Sequence, residues 1–446
     1  MSSKRFQTLV VGAGPAGMAA AVAACDRGRR VGVLDDNAAT GGQIWRRGLS
    51  QESDSTSRSQ RRLQQQFAHS GATLFAGRRV VSAPEPGTLD TWSDGEETVE
   101  RFGYETLVLA TGARERFLPF PGWTLPGVYG AGGLQALVRG GYDVKGKRVV
   151  VAGSGPLLLA VAAHLRQDGA QVIAVCEQAP LRQMLPLVLR LWNRPGKLWQ
   201  GADLMRQLRG VPYRRGCWPV AAHGGGTGLE RVELTDGRRR WTEPCDLLAC
   251  GFHLVPNTEL PALLGCRLQA GCVVVDSQQQ TSVRGVFCAG EPTGIAGVDA
   301  ALMEGRLAGL AAADGLRQDR RLMRRSAAER RFGFALDRAF ALRSEVRQLS
   351  QPDTILCRCE DVRFADLAAM RWHEETWTDA KLQTRCGMGP CQGRICGPIV
   401  ETLFGARNES IRPPLFPLPL AALAAELAAE SAARRDSSTP HLQETE

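Results

Sequence analysis

Residues 6–17 read FQTLVVGAGPAG. An apolar run of strand character ends at Gly12, Gly14 and Gly17, in G-x-G-x-x-G spacing. Gly12 permits the sharp turn, Gly14 lets backbone approach a pyrophosphate, and Gly17 lets the following helix lie close to the strand. Pro15 and Ala16 complete the turn, and the helix over residues 18–27 aims its first N–H groups at the phosphates. A second strand over residues 30–34 leads into Asp35, 23 residues beyond Gly12, where a carboxylate can accept a ribose hydroxyl. Glycine turns are common, so the motif alone is weak evidence. The ordered set of strand, glycines, helix, strand and acid is a strong dinucleotide-binding signal.

The chain has 446 residues, enough for two or three domains, and 43% hydrophobic residues with 50 glycines suit an α/β protein. Its longest apolar stretch, residues 149–163, contains Gly153, Ser154, Gly155 and Pro156 and is too short to span a bilayer. No apolar signal segment precedes the first strand, so a cytoplasmic chain is expected. The net charge of +9 rests on 55 basic residues, of which five are Lys, and they are scattered rather than clustered. No nucleic-acid partner is expected.

Downstream of Asp35, the segment DNAATGGQIWRR over residues 36–47 offers Gly41 and Gly42 for close backbone approach, and Gln43 and Arg46 as donors. Residues 50–59 read as an exposed polar loop and residues 73–106 as a run of short strands. The stretch YETLVLATG, residues 104–112, reads as a buried strand ending at Thr111-Gly112. A second βαβ pattern begins at residue 147, with Gly153-Ser154-Gly155 after its first strand and Glu177 after its second. The third glycine position is Leu158, which should push the helix off the strand, and no Arg run follows Glu177. NAD(P)H binding there is therefore weighed below a retained scaffold or a different nucleotide, FMN or ATP. Residues 180–215 read as two surface helices broken at Arg194-Pro195-Gly196, or as a subunit interface. Residues 318–348 read as an Arg-rich linker helix, and the tail beyond Arg412 as a proline stretch, a short helix and a polar end.

Eight of the 13 cysteines are scattered between Cys25 and Cys288 and read as small buried hydrophobes in a reducing compartment. The other five are clustered. TILCRCEDV contains Cys357 and Cys359, and KLQTRCGMGPCQGRICGP contains Cys386, Cys391 and Cys396. Three readings compete: a [2Fe–2S] cluster, structural zinc, or bare thiols. C-x-C is awkward for tetrahedral zinc, whereas a [2Fe–2S] cluster takes two thiolates per iron within a glycine-rich backbone, so the cluster is favoured.

The fingerprint, GGQIWR and LVLATGA resemble the FAD-binding half of the two-dinucleotide-domain flavoproteins, the group of thioredoxin and glutathione reductases. Residues 281–309, TSVRGVFCAGEPTGIAGVDAALMEGRLAG, resemble the second FAD segment of that group, with Gly290 at the strand end and Glu291 where the family acid contacts the ribityl chain. The cysteine segment resembles the bacterioferritin-associated-ferredoxin-like [2Fe–2S] domain. That resemblance implies Cys357, Cys359, Cys391 and Cys396 as ligands, with Cys386 an alternate for Cys396. The combined order is similar to the α subunits of hetero-oligomeric amine and imino-acid dehydrogenases, the family of opine oxidases, D-hydroxyproline dehydrogenase and hydrogen cyanide synthase.

The expected fold is α/β: two Rossmann-like domains, the second inserted in the first, plus a small C-terminal [2Fe–2S] domain. The expected boundaries are 1–115 with 255–317 for FAD, 116–254 for the inserted nucleotide domain, 318–350 for the linker, 351–408 for the cluster and 409–446 for the tail. The resemblance implies an electron-relay subunit holding FAD and [2Fe–2S], with no catalytic residues of its own. It further implies a substrate-oxidising flavoprotein β subunit resembling D-amino acid oxidase, a small ferredoxin-like γ subunit, and a quinone or cytochrome acceptor met peripherally at the inner membrane face. Two rivals stay open: a self-sufficient NAD(P)H-dependent reductase using Gly153, Gly155 and Glu177, and a non-catalytic assembly subunit.

Overall fold

The computed structural model describes residues 4–45, 58–192, 194–226, 228–314, 319–408 and 410–424. Arg46, most of the 50–59 loop and the polar end of the tail lie outside the described residues.

The opening stretch forms strand Lys4–Val11, paired in parallel with Val31–Asp35 on one side and Glu100–Leu109 on the other. Leu9 and Val10 are both fully buried. The apolar run does not alternate because both faces of the strand are covered. Thr73–Ala76 extends the sheet beyond Val31–Asp35, and Thr88–Trp92 and Arg79–Ser82 continue it antiparallel beyond Glu100–Leu109. Strand Val286–Cys288 also joins Glu100–Leu109 in parallel.

Between those two strands the chain builds a separate parallel sheet. Its order is Tyr213–Arg215, Gln171–Glu177, Arg148–Ser154, Leu247–Phe252 and Val128–Gly130. The chain leaves the first sheet through Ala113–Glu115 and returns through Leu254–Pro256, and these two crossings pair antiparallel. The βαβ pattern read from the two glycine motifs is thus present in both sheets.

Helix Pro15–Cys25 packs on helix Val298–Asp314 at unusually short range. A Cβ on Gly305 would fall 2.1 Å from Ala16 O, and one on Gly309 would fall 2.2 Å from Ala20 O. These glycines set how closely the second segment approaches the fingerprint helix, and nothing in the opening motif signals them.

Leu181–Leu191 and Pro195–Gln207 form the two helices expected around Pro195. Leu187 packs with Phe332, Ala335 and Phe340 of the long helix Arg320–Ala339 and its end. Leu189, Trp192 and Trp199 stay exposed. The cysteine-rich end comprises strands Ile355–Cys357 and Val362–Arg363 and helices Phe364–Ala368, Trp377–Thr384 and Cys396–Phe404. Its buried side chains Leu356, Leu367 and Ile399 are continuous with Phe120, Trp218 and Phe252 around the second sheet. Trp123 Nε1 also donates to Ile355 O at 2.6 Å. So small a segment cannot bury an adequate core alone and shares that of its neighbour. Among the described residues no helix is long and apolar enough to cross a membrane.

Candidate functional site: a nucleotide crevice beside a cysteine centre

Gly12 has φ +103°, and its Cβ would lie 2.2 Å from Ala110 O. Gly17 is tighter still, since a Cβ there would sit 1.7 Å from Gly12 O. Both are therefore fixed by backbone contact, as the motif predicts. Gly14 differs. A Cβ there meets only Gly42 Cα, at 3.8 Å, and Gly14 faces a crevice of about 2180 Å³.

Of the residues expected at the cofactor, Gly14, Pro15, Ala16, Gln43, Thr111, Gly112, Gly290 and Glu291 line this crevice. Gly12, Gly17 and Gly42 shape the loops behind it. Asp35 is buried, and its carboxylate accepts from Ala13 N, Asn37 N and Asn37 Nδ2. It ties the glycine loop to the strand end, while its neighbours Asp36 and Asn37 line the crevice. Sequence spacing alone cannot separate those roles.

Glu291 is held at one oxygen, where Gly297 N donates to Oε1 at 3.1 Å. Its Oε2 is buried with no hydrogen-bond partner. Burial, reinforced by the neighbouring Glu304 charge, pushes its pKa up to about 7. An unpartnered acid here fits a hydroxyl of a flavin dinucleotide, and Gly14 at the N-terminus of helix Pro15–Cys25 fits its phosphates. The folded form holds this proton more tightly than the unfolded form. Stability from this group is thus full below the ordinary value of 4.5 and is lost as pH rises through about 7. The expected loss is on the order of 3 kcal/mol. Thermal unfolding of the flavin-free protein at acid and at mildly alkaline pH checks it. Wild type should lose more stability across that range than Glu291→Gln, because Glu177 contributes equally to both and cancels.

Local sequence gives no hint of the support beneath Glu291. Glu304, 1% exposed, accepts from Gly290 N at 2.9 Å and Thr293 Oγ1 at 3.1 Å. Arg330 donates to its other oxygen from Nη2 at 2.9 Å and Nε at 3.1 Å. The helix following Gly290 places Glu304, but Arg330 comes from a later helix and only tertiary packing brings it in. Arg330→Ala would leave a buried carboxylate without its counter-charge, and about 3 kcal/mol of stability should be lost. Denaturant unfolding of the variant against wild type measures it.

A second clasp joins the crevice to the two crossings. Thr111 Oγ1 donates to Asn257 O at 2.7 Å, and Asn257 Nδ2 returns a bond to Thr111 O at 2.9 Å. Arg114 reaches three partners: Asn257 Oδ1 at 2.7 Å, Glu259 at 2.8 Å and the backbone oxygen of Arg394 at 3.0 Å. Arg394 and Ile395 belong to the loop between Cys391 and Cys396, and Ile395 lines the crevice itself.

At the cysteine centre, the Sγ atoms of Cys357, Cys386 and Cys396 lie within 4.8 Å of one another. Cys391 lies close enough to Cys396 and to Cys359 for each to shift its thiol, so all five cysteines gather here. Cys359 is exposed, whereas Cys386 is wholly buried. Glycine at position 389 is required here, since a Cβ would fall 2.3 Å from Cys359 Cβ. The Cys357 thiol is held far below its ordinary value by Cys386 and Cys396, with Gly387 and Glu360 N–H groups adding to the effect. Cys391 is lowered to about 5, first by Cys396 and further by the Ile395 and Gly393 N–H groups. Five soft sulfur ligands, two of them held as thiolates with backbone N–H donors, suit an iron–sulfur cluster.

In the second sheet, Gly155 N donates to Glu177 Oε2 at 2.7 Å and Ala179 N to Oε1 at 2.8 Å. A Cβ on Gly153 would fall 1.9 Å from Gly251 O. Leu158, at the third glycine position, is accommodated in the core. It is 1% exposed, and the missing side chain of Gly251 gives it room, with Leu158 Cδ2 3.2 Å from where a Cβ would stand.

Comparison with known proteins places these features in context. A family model described as pyridine nucleotide-disulphide oxidoreductase matches residues 6–305. Hydrogen cyanide synthase subunit HcnB of Pseudomonas protegens is 33% identical over 93% of this chain and 96% of its own. The opine oxidase A-subunit of Rhizobium meliloti is 32% identical over 94% of this chain and 98% of its own. Among solved structures, L-proline dehydrogenase from P. horikoshii superposes with TM-score 0.65 at 18% identity, covering 94% of this chain and 80% of that one, a likeness of fold. The chain therefore belongs to the pyridine nucleotide-disulphide oxidoreductase family of FAD-binding proteins and, within it, to the group of HcnB and the opine oxidase A-subunits.

Proposed function

We propose that this chain is the FAD- and [2Fe–2S]-containing electron-transfer subunit of a hetero-oligomeric dehydrogenase. The donor is a secondary amine or imino acid of D-hydroxyproline, opine or glycine type, and electrons leave toward the respiratory chain. One observation carries the reading. Ile395, between Cys391 and Cys396, lines the same crevice as Gly14, Gly112 and Glu291. A flavin in the crevice and a cluster on the thiols would supply two-electron and one-electron chemistry side by side. The chain's own residues do the positioning. Gly14 and the Pro15–Cys25 helix terminus receive phosphate, Glu291 meets hydroxyls, and Arg114 fixes the cysteine loop against the crevice. Cys357, Cys359, Cys391 and Cys396 are the proposed ligands.

The named functions of the two relatives support the amine class, and their designation as subunits supports partner chains. The proposed partners are a β subunit resembling D-amino acid oxidase, which would carry substrate recognition, a small ferredoxin-like γ subunit, and a quinone or cytochrome acceptor at the inner membrane face.

The test is anaerobic purification of the chain co-expressed with its neighbouring reading frames, followed by flavin and iron analysis and a screen for amine-dependent dye reduction. Dye reduction that needs the partner and an amine supports the reading. Rapid bleaching of the flavin by NADH or NADPH in the isolated chain overturns it. Arg114→Ala should keep flavin and iron content yet slow amine-dependent cluster reduction about tenfold, because the cysteine loop loses its anchor. Stopped-flow absorbance reads this directly.

A further inference from the structure

The family to which this chain belongs is named for pyridine nucleotides, and the second glycine motif would be their seat. The ribose end of that seat lies at the strand-end acid and its neighbour, as Asp36 after Asp35 lines the first crevice. Here that neighbour is Gln178, fully buried, with the nearly buried Ser154 of the glycine turn beside it. Ser154 Oγ donates to Phe340 O at 2.7 Å. Gln178 Nε2 donates to Ser154 Oγ at 2.9 Å and to Ala341 O at 3.2 Å, and Gln178 Oε1 accepts from Arg343 N at 3.1 Å. Gln183 Nε2 adds bonds to Arg338 O at 3.2 Å and Ala341 O at 3.0 Å.

The segment that makes these contacts leads from helix Arg320–Ala339 into the cysteine region. Phe340 is 6% exposed in a cluster with Ala179 and Leu187, and the Arg343 guanidinium lies 4.6 Å from the Trp218 ring. Glu177 has both oxygens committed to Gly155 N and Ala179 N. Gly155 faces open space, so the phosphate turn itself is free. What is filled is the nucleoside end, and it is filled by this chain.

We propose that the nucleoside cleft of the second sheet is a socket for the chain's own residues 340–343, which close it to NAD(P)H and anchor the cysteine region. The sequence supports this use. Residues 340–343 read FALR, with small Ala341 between two side chains that find apolar or aromatic beds, and the contacts of Ala341 are backbone ones. The proposal does not depend on the electron-relay reading, because its readouts are binding and amide exchange.

The experiment uses the full chain with its cofactors bound. NADH and NADPH are titrated calorimetrically to millimolar concentration, and hydrogen–deuterium exchange is followed over residues 338–346 in wild type, Gln178→Ala and Ser154→Ala. The expected result is no saturable binding to wild type. Exchange at Arg343, whose N–H is held by Gln178 Oε1, should be roughly tenfold faster in Gln178→Ala. Ser154→Ala, which deletes a smaller group, serves if Gln178→Ala folds poorly, and should loosen the same segment. Saturable one-to-one binding of either nucleotide to wild type overturns the proposal. So does exchange over 338–346 that is unchanged in both variants.

Discussion

Gly17→Ala is expected to give a protein that retains little or no flavin and unfolds far more readily than wild type. The added Cβ would stand 1.7 Å from Gly12 O and 2.9 Å from Gly12 C, with Val10 Cγ1 at 3.3 Å. The first two are backbone atoms of the turn itself, so no rotamer change relieves the contact. Helix Pro15–Cys25 must move off strand Lys4–Val11. It is also locked on its other side, where Gly305 and Gly309 press on Ala16 and Ala20. Overpacking of this kind costs about 3 kcal/mol or more. Gly14→Ala is the matched control. Its Cβ meets only Gly42 Cα at 3.8 Å, so folding should be near normal, while flavin affinity falls because the methyl enters the crevice. Flavin content after gel filtration and denaturant midpoints for both variants separate a folding loss from a binding loss. Equal behaviour of the two would mean that backbone contact does not set the requirement at Gly17.

Cys357→Ser, Cys391→Ser and Cys396→Ser are each expected to abolish iron incorporation, with Cys359→Ser reducing it sharply. A [2Fe–2S] cluster needs four thiolates, and five converge here. The ligand set is the one the resemblance implies, and backbone donors support three of its members. Gly387 and Glu360 N–H groups point to Cys357, Gly393 and Ile395 to Cys391, and Cys391 N to Cys359. Such donors stabilise thiolate and bridging sulfide charge. Cys386 and Cys396 are both buried beside Cys357, and both thiols are pushed upward, first by Cys357. On the ligand set that the resemblance implies, Cys386→Ala should keep its iron and its visible absorbance. Iron per chain and electron paramagnetic resonance of the reduced protein decide the matter. Iron loss in Cys386→Ala with full retention in Cys396→Ser would exchange those two ligands.

Much of the site is legible in the residues alone. A glycine at a fixed offset from a strand, an acid at the next strand end and cysteines at close spacing are local signals, because the chemistry they serve is short-ranged. Gly12, Gly14 and Gly17 hold the positions the motif assigns them. The finer roles are not legible. Asp35 and Asp36 are adjacent, and whichever faces the crevice depends on how the glycine loop is pinned. The acid of the motif holds the loop, while its neighbour lines the cavity. Leu158 looks like a flaw in the second motif because its compensation, Gly251, lies almost a hundred residues away on a neighbouring strand.

Residue order is enough to set the fold class, the glycine turns and the grouping of cysteines, because each follows from backbone geometry and residue type over short spans. Long-range packing settles what remains. It brings Arg330 to Glu304, Arg114 to the cysteine loop, Ile395 to the crevice wall and residues 340–343 onto Gln178. These partners sit far apart along the chain, and no local periodicity encodes such contacts. They form because buried carboxylates, amides and backbone groups must find partners wherever packing leaves them.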